Sequence, residues 1–591
     1  MRITKSTTAK LVAAAAVVVT LGANALVAGG STASPRLTVV KSGGNATFAL
    51  DETISGWNVN TSASNLFVLA EILNMVWPSA YIVNNTLGVV LNKDLVTSAT
   101  SALVGGQQVV TYHLNPKAKW QDGTPIRADD FIYNYQVYFG TPFKDKGGAV
   151  YDVAGSTGYN QIQSVKGSAP SGGAACQAGS AANRNAGLCP NGATVTVKFV
   201  KGQPFADWQA LFGGIVPAHV ARVVGWNTGF NITQINATHN NNLILSGAWY
   251  RVKTYSGNTV VLERNPAYYG APGKLSTITF LDAPDDTLGI SDLTSHTTDV
   301  FNPVGATLAI QAQAAAAGSA IKWVGTPGLI FEHIDFNQAV PGLNILDVRK
   351  AIALAISRKA IITGAIGALN PTEKPLGNHM FMTNQTGYID HGTAYNVQNV
   401  AAAKVLLAKH YHMGTDGYFQ TTGTGSGHDV TFDLASTGNS TRKNVEMPLM
   451  IAQLKLAGLK ITQTNESDFF TKVAAGQYQI GLFAWVGTPF VSSNESIYCS
   501  YNDAKGRCGQ NWVHYANPAL DKLLFAGASA TSPALERADF NAADQILWTN
   551  MITYPLFQRV EFFAWNPKLQ NVLPNPSSAG VTWNAQQWGF Q

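Results

Sequence analysis

The sequence predicts an α/β protein, because strand-like and helix-like segments are mixed along its whole length. Three segments have apolar residues at every second position, the period of a half-buried strand: 110–114, 195–199 and 430–434. Four segments have apolar residues three or four positions apart, the period of an amphipathic helix: 348–356, 400–407, 449–456 and 538–546.

Several predicted helices carry recognisable end signals. Gly458 follows the third helical segment and is a typical C-terminal glycine cap. Ser532 and Pro533 have the order of an N-cap followed by a first helical residue. Asp129 and Asp130 are expected in the first turn of a helix over 129–138, where a negative charge favours the helix dipole. The alternative, a catalytic pair of carboxylates, is kept as a weaker interpretation.

Length and composition limit the class of protein. The chain has 591 residues, which is more than one ordinary domain of roughly 100–200 residues. It is 46% hydrophobic and only 12% charged, so it can bury large cores and is too apolar to be disordered. The net charge is +5, and basic residues are not clustered, so we expect no nucleic-acid partner.

The N-terminus has the pattern of a secretory signal peptide. Arg2, Lys5 and Lys10 precede a mostly apolar stretch over 11–30, and small residues follow up to Ala33. We therefore expect residues 1–33 to be a signal peptide that is cleaved after Ala33, and the protein to be exported. Because the stretch over 11–30 is long enough to span a bilayer, an uncleaved membrane anchor is the alternative.

Attachment through a lipid on an N-terminal cysteine is not expected. The segment 26–29, LVAG, resembles the start of a lipoprotein motif, but Gly30 stands where the motif needs cysteine. Cys176 is the first cysteine of the chain. We therefore expect an extracellular, cell-surface or periplasmic protein without this lipid.

Four cysteines fall into two close pairs, Cys176 with Cys189 and Cys499 with Cys508. Three pairings are open from sequence alone, and we favour the two local disulfides for an exported protein. The spacing differs from that of zinc sites, so no metal is expected there.

No catalytic motif is found in the sequence. The strand–serine–helix elbow of hydrolases, the H-E-x-x-H metal motif and the phosphate-binding loop are all absent. The glycine-rich segment 420–428 lacks the strand–glycine–helix order of nucleotide sites. We therefore expect no enzyme and no cofactor.

The segment 120–131, WQDGTPIRADDF, resembles the W-x-D-G-x-P-x-x-A-x-D-F signature of the extracellular solute-binding proteins of family 5, the peptide receptors of ABC importers. Further segments resemble other motifs of the family and follow in the family's order: 246–250, 263–269, 335–337, 347–356, 403–407, 476–485, 517–521 and 554–556. In the first two of these segments, Ala248 stands in place of the usual proline and Tyr269 in place of the usual tryptophan.

The resemblance implies a type II periplasmic-binding-protein fold, in which two α/β lobes are joined by a hinge with a ligand cleft between them. We expect lobe I at 34–303 together with 555–591, including an extra subdomain and a surface insertion at 154–193. Lobe II is expected at 304–554.

The implied function is that of an extracellular substrate-binding protein of an ABC importer. It would capture oligopeptides in the cleft between the lobes and deliver them to the permease subunits in the membrane, acting as a monomer. The alternatives are the same fold binding haem, a metal chelate or an oligosaccharide, a secreted hydrolase that uses paired carboxylates, and a surface receptor without transport.

In many family members, an aspartate three residues after the tryptophan of the G-W motif binds the α-ammonium group of the peptide. Here Thr488 holds that position after Trp485, and a hydroxyl cannot make the charge-assisted bond. Asp468 or Glu495 is a candidate substitute. The residues expected at the ligand are Trp485, Gly487, Thr488, Phe490, Trp57, Asn58 and Asn60, although 56–60 is equally consistent with an ordinary loop.

Overall fold

The fold is described from a computed structural model. It covers residues 37–168, 176–177, 192–257, 259–282, 286–303, 307–367, 372–422, 427–438, 440–487, 489–501, 508–530 and 532–591. The predicted signal peptide at 1–33, Cys189 and Thr488 lie outside these ranges. Every element below belongs to Val40–Gln591, which forms one compact unit. No helix among the described residues is both long and apolar enough to cross a membrane.

Strands occur along the whole of the described chain, as the mixed periodicity predicts. In chain order they are β1 (Asn45–Leu50), β2 (Tyr81–Val83), β3 (Val89–Leu91), β4 (Val96–Val104), β5 (Gln107–Leu114), β6 (Ile162–Ser168), β7 (Cys176–Gln177), β8 (Thr194–Phe199), β9 (Tyr250–Ser256), β10 (Thr259–Arg264), β11 (Thr277–Asp282), β12 (Val300–Phe301), β13 (Lys322–Phe336), β14 (His412–Met413), β15 (Phe419–Gln420), β16 (Thr431–Thr437), β17 (Lys460–Glu466), β18 (Ile480–Val486), β19 (Thr553–Trp565), β20 (Leu569–Gln570) and β21 (Gly589–Phe590). The three predicted strands are β5, β8 and β16.

Helices lie between these strands. They are α1 (Phe67–Leu73), α2 (Ala128–Phe139), α3 (Ala218–Val224), α4 (Gly289–Thr294), α5 (Leu308–Ala317), α6 (Leu346–Ala355), α7 (Arg358–Ile366), α8 (Val400–Leu407), α9 (Thr441–Leu456), α10 (Phe469–Ala474), α11 (Glu495–Tyr498), α12 (Pro518–Ala528) and α13 (Pro533–Asn550). The four predicted helical segments are found in α6, α8, α9 and α13, and the α/β class is confirmed.

The predicted helix ends are confirmed as well. The side chain of Ser532 accepts a hydrogen bond from the backbone N–H of Leu535 at 3.3 Å and caps α13. Gly458 follows α9 with φ +84°, a left-handed conformation that favours glycine. Asp130 accepts a hydrogen bond from the backbone N–H of Arg127 and so caps α2, while Asp129 pairs with Arg222 at 2.7 Å. The helix interpretation of the two aspartates therefore holds.

A ten-stranded mixed sheet runs through the molecule in the order β17-β16-β18-β13-β19-β12-β1-β11-β10-β9. The long strands β13 and β19 pair antiparallel from Lys322 opposite Trp565 to Asp335 opposite Thr553. At one end of this pair, β19 also pairs with β12, and at the other end β13 also pairs with β18. The sheet therefore has two halves, and β13 and β19 join them. The register between β13 and β19 shifts after Pro327, near the middle of the sheet.

This arrangement has the two-part character that the type II fold requires. The halves meet on β13 and β19, whereas the predicted lobe boundaries lie at 303/304 and 554/555. Those boundaries remain a prediction.

A second, antiparallel sheet has the order β4-β5-β8-β6-β7. Residues 154–193, predicted as a surface insertion, contribute β6 and β7 to it, and Ile162 and Val165 of β6 are buried. The described first part of this segment is therefore built into the sheet rather than added to its surface. The strand β6 is difficult to predict from the sequence, because this segment has few apolar residues and many glycines and serines.

Cys499 and Cys508 form a disulfide, as predicted for the second pair. The proposed partner of Cys176 is Cys189, which lies outside the described residues, so the first disulfide stays a prediction.

Candidate functional site

A cavity of about 730 Å³ lies between the two halves of the ten-stranded sheet. Its wall takes residues from the first part of the chain (51–268), from β13 to the segment after α11 (331–512), and from β19 and the C-terminal segment (559–583). The volume is within the range of about 300–1,000 Å³ that is usual for pockets binding small ligands. Because one ligand there touches both halves, the cavity is the candidate site.

Four of the residues predicted at the ligand line this cavity. Trp485, at the end of β18, and Gly487 and Phe490, which follow it, belong to the wall contributed by the second half of the sheet. Asn60 lines the cavity from the opposite half, and among the described residues its side-chain amide nitrogen has no hydrogen-bond partner. The structure thus brings together residues that are far apart in sequence.

Trp57 and Asn58 lie in the core and not on the cavity wall, which corrects our expectation for these two residues. The ring of Trp57 is fully buried and packs edge-on against Tyr255 with centroids 5.1 Å apart. The Asn58 side chain donates a hydrogen bond to the carbonyl of Trp226 at 3.0 Å. Successive residues of an irregular loop point in different directions, so only part of 56–60 can reach the cavity.

Neither substitute for the missing aspartate lines the cavity. The side chain of Asp468 is 57% exposed and pairs with Lys472 at 3.3 Å. Glu495 is buried and accepts a hydrogen bond from Asn160 at 3.3 Å. Among the described residues, the carboxyl groups that do line the cavity are those of Asp51, Glu52 and Glu466.

Aromatic side chains form one side of the cavity. Trp485 packs against Trp512 with ring centroids 5.0 Å apart and an interplanar angle of 34°. Phe470 and Phe331 also line the cavity, and Trp249 and Trp583 face it from other elements. Sequence reasoning missed Trp512, which follows the disulfide Cys508 closely and is brought to Trp485 only by the tertiary fold.

Three basic side chains line the cavity together: Arg442 and Lys443 at the start of α9, and Arg559 on β19. All three are at least nine-tenths buried. The Nζ atom of Lys443 donates to the hydroxyl of Thr437 at 2.7 Å. Among the described residues, the Nη1 atom of Arg559 has no hydrogen-bond acceptor. A cation buried at a cavity wall with an unused donor is suited to an anionic ligand group.

Two of the acids that accompany these cations do not line the cavity. Glu332 on β13 accepts hydrogen bonds from Nε of Arg559 at 2.8 Å and from Nε of Arg442 at 3.1 Å. Glu446 lies 3.2 Å from Arg442, one helical turn along α9. Glu332 and Glu446 are not among the residues that line the cavity, whereas Glu52, whose carboxyl group interacts with the same three cations, lines it.

Burial and charge set the protonation of this cluster. Burial alone would raise the pKa of Glu332, but Arg442 and Arg559 outweigh it and lower the pKa to about 2. Burial raises the pKa of Glu446 to about 8, and the charge of Glu332 adds to the shift. Burial also raises the pKa of Glu561, on β19, to about 8. At neutral pH the cations therefore exceed the ionised carboxylates in this cluster.

A strand edge is open beside the aromatic side of the cavity. Among the described residues, β16 pairs with β18 only over 434–436 opposite 480–482. The next residues of β18 remain paired with β13 on their other side, up to Val486 opposite Ile330. Ala484, Trp485, Val486 and Gly487 all line the cavity. The N–H of Gly487 donates to the carbonyl of Leu329 on β13. The backbone groups of this stretch that point away from β13 can accept an added strand on the side that β16 leaves.

Comparison with known proteins identifies the family. The model of the bacterial extracellular solute-binding proteins, family 5 (middle region), matches residues 94–506. The oligopeptide-binding protein OppA of Mycobacterium tuberculosis is 28% identical over 532 residues, covering 88% of this chain and 80% of OppA. The uncharacterized lipoprotein ML0489 of Mycobacterium leprae is 21% identical and covers 83% of this chain and 84% of its own length.

Solved structures share the fold. The periplasmic EDTA-binding protein EppA superposes with a TM-score of 0.76 and 23% identity, covering 94% of this chain and 98% of EppA. The oligopeptide-binding protein AppA of Bacillus subtilis, in complex with a nonapeptide, superposes with a TM-score of 0.75 and 17% identity, covering 94% of this chain and all of AppA. The predicted two-lobe periplasmic-binding-protein fold is confirmed by these similarities.

The family model covers more than half of the chain, and the motifs that carry the resemblance lie mostly inside the matched region. Members of this family are binding proteins that work with ABC transporters and are not enzymes. The chain belongs to the bacterial extracellular solute-binding proteins, family 5, and is a substrate-binding protein of the ABC-transporter type.

Proposed function

We propose that this protein captures oligopeptides in the cavity between the two halves of the sheet and delivers them to the permease of an ABC importer. The observation that carries the proposal is the open edge of β18 on the cavity wall. An extended peptide can add to that edge through main-chain hydrogen bonds, whose geometry does not depend on the peptide's sequence.

The charged groups of the wall suit the two ends of a peptide. A terminal carboxylate would accept hydrogen bonds from Lys443 and from Nη1 of Arg559. Asp51 lines the same cavity and supplies a carboxyl group for an ammonium group, whereas burial raises the pKa of Glu52, which lies among the cations. In this proposal the carboxyl group of Asp51 replaces the aspartate that the family places at the position of Thr488.

We further propose that the lobes move about β13 and β19. Only these two strands join the two halves of the described sheet, and a ligand in the cavity contacts both halves. A ligand that makes both sets of contacts only in the closed form shifts the equilibrium towards closure. The closed form is then the one that the permease recognises.

For localisation we propose export with cleavage after Ala33 and no lipid at the N-terminus, because no cysteine precedes Cys176. The name of the Mycobacterium leprae relative calls that protein a lipoprotein. Intact-mass measurement of the protein recovered from the producing cell tests this point. A mature mass starting at Ser34 is expected, and a mass increased by acyl chains contradicts the proposal.

A second candidate ligand is a polyanionic chelate. The three buried cations at the wall favour it, and EppA, whose name states that it binds EDTA, has the same fold. In that case the aromatic wall and the strand edge would contribute little.

Native mass spectrometry of the purified protein, followed by identification of the released ligand, separates the two candidates. Peptide masses are expected, with a spread of sequences because main-chain bonds dominate. The matched control is the same protein after unfolding, dialysis and refolding, which should carry no ligand. A single non-peptide mass in place of peptides contradicts the proposed function.

A further inference from the structure

Two indole rings lie in contact with each other in the aromatic wall of the cavity. Trp485 and Trp512 lie 5.0 Å apart, and Phe470 lies 6.1 Å from Trp512. All three side chains line the cavity. All three rings also pack against Phe483, with centroids 5.2 to 5.9 Å apart.

The rings are held in place from behind. His333 stacks on Trp485 with an interplanar angle of 12°, and Phe483 packs edge-on against the same indole at 5.2 Å. The carbonyl of Trp512 accepts a hydrogen bond from the hydroxyl of Tyr478 at 2.8 Å. The segment that carries Trp512 also begins at Cys508, which the disulfide ties to Cys499. A pocket of fixed rings loses little conformational freedom when a ligand enters it.

The two indole N–H groups lack a hydrogen-bond partner among the described residues, which is the second observation that indicates a ligand. Trp485 is 9% exposed and Trp512 is 5% exposed. Among the described residues, neither indole N–H finds a hydrogen-bond acceptor. Buried indole N–H groups usually have a partner, and a carbonyl oxygen of a bound chain can provide it.

We infer that Trp485, Trp512 and Phe470 form a specificity pocket for an aromatic side chain of the bound peptide, with the indole N–H groups donating to its main-chain carbonyl oxygens. The inference rests on the proposed peptide function and adds a preference to it. Rings with fixed tilts favour edge-to-face and offset contacts with another ring over contacts with a flexible aliphatic chain. The pocket therefore selects peptides by one residue, while the strand edge accepts the rest of the main chain.

The test uses a pool of random peptides of three to five residues offered in excess to the refolded, ligand-free protein. Peptides retained on the protein are released and sequenced by mass spectrometry. We expect phenylalanine, tyrosine and tryptophan to be enriched about fivefold over the input, the size of one good ring–ring contact. Retained peptides with the aromatic content of the input would overturn the inference.

Three variants complete the test. Trp512→Ala is expected to abolish the aromatic enrichment, and persistence of the enrichment would overturn the inference. Trp512→Phe keeps a ring and loses the N–H, so it should keep the enrichment and bind a retained aromatic peptide about five- to tenfold more weakly. Trp323→Phe is the matched control, because Trp323 stacks on Phe562 and does not line the cavity.

The outcomes separate the inference from the proposed function. Capture of peptides without aromatic enrichment overturns the specificity pocket alone. Failure of the wild-type protein to capture any peptide overturns the peptide function and the pocket together. If Trp512→Ala does not fold, Trp512→Phe and the wild-type pool still decide the question.

Discussion

Lys443 carries a positive charge at the cavity wall without belonging to the central ion pairs of the cluster. Its Nζ atom is hydrogen-bonded to Thr437, whereas Arg442 and Arg559 both contact the buried carboxylate of Glu332. Removing either arginine leaves part of a buried charge uncompensated and endangers folding. Lys443 can therefore be changed to test ligand recognition with less damage to the core.

Lys443→Met should weaken the binding of a free-acid peptide about tenfold, because a hydrogen bond to a charged group contributes about 1.5–3 kcal/mol. The same variant should bind the corresponding C-terminal amide as well as the wild-type protein does. Isothermal titration calorimetry measures both affinities. Lys460→Met removes a lysine at an exposed ion pair with Asp429 and serves as the control. Equal loss for the acid and the amide would remove Lys443 from carboxylate binding.

At the residue scale, sequence reasoning found part of the site. Trp485 was predicted because it belongs to a family motif, and it lines the cavity. Trp512 and Arg559 were not predicted, because nothing in their local sequence distinguishes them from ordinary core residues. Asn58 was predicted in error for the opposite reason: a polar residue in a loop can be buried when a distant carbonyl, here that of Trp226, accepts its hydrogen bond.

Local sequence signals predicted the helices and their ends more accurately than they predicted the residues of the site. Helix ends depend on residues within one turn, so Ser532 and Gly458 could be interpreted directly. A third helix end depends on the same kind of local hydrogen bond, although in the sequence it was identified only as part of the family motif at 517–521. Asn517 accepts hydrogen bonds from the backbone N–H groups of Ala519 and Leu520 and caps α12.

Asn517→Ala should lower the free energy of unfolding by about 1 kcal/mol, the usual effect of losing a helix cap. Chemical denaturation monitored by circular dichroism gives this value. Asn517→Asp is the matched control, since it keeps an acceptor and adds a favourable charge at the helix N-terminus. An alanine variant as stable as the aspartate variant would show that the cap contributes nothing.

The end of β18 gives a second test at the scale of elements. A Cβ atom at Gly487 would lie 2.7 Å from the backbone oxygen of Leu329 on β13, too close for two non-bonded atoms. Gly487→Ala should therefore shift the open edge away from β13 and weaken peptide binding about tenfold, because main-chain hydrogen bonds depend on geometry. Calorimetry measures the affinity, and thermal unfolding shows whether the variant is folded. A folded variant with wild-type affinity would exclude this edge from the site.

The whole molecule depends on pairings that no local pattern contains. The family motifs predicted two lobes, but the way β13 and β19 join both halves of one sheet follows from contacts between residues far apart in sequence. The buried cluster has the same origin. Glu332, Arg442 and Arg559 come from β13, α9 and β19 and become neighbours only when the sheet is complete.

This cluster predicts how stability depends on pH. In the folded protein the pKa values of Glu446 and Glu561 are both raised to about 8, above the ordinary value of 4.5. Between these two values the folded protein holds protons that the unfolded chain has released, so stability falls as pH rises from about 4.5 to about 8. Glu332 has the opposite sign: its pKa is lowered to about 2, and its contribution is lost as pH falls from about 4.5 towards 2.

The melting temperature should therefore be highest near pH 5 and should decrease towards pH 8. Burial lowers the pKa of Lys443 to about 8, and its effect lies above pH 8 because an unfolded lysine titrates near 10.5. Differential scanning fluorimetry across pH 4–9 measures the profile.

The variant Glu446→Gln tests whether the buried cluster, and not the rest of the protein, causes this pH dependence. The amide cannot ionise, so the loss of stability that Glu446 causes between about pH 4.5 and 8 disappears. The melting temperature should therefore change less over this pH range than in the wild-type protein. Glu263→Gln, at a half-buried ion pair with Arg251, should leave the wild-type slope. A Glu446→Gln variant that keeps the full decrease would place the origin of the pH dependence outside α9. Because the same cations face the cavity, a flatter stability profile together with unchanged peptide affinity would also show that Glu446 acts on folding and not on the ligand.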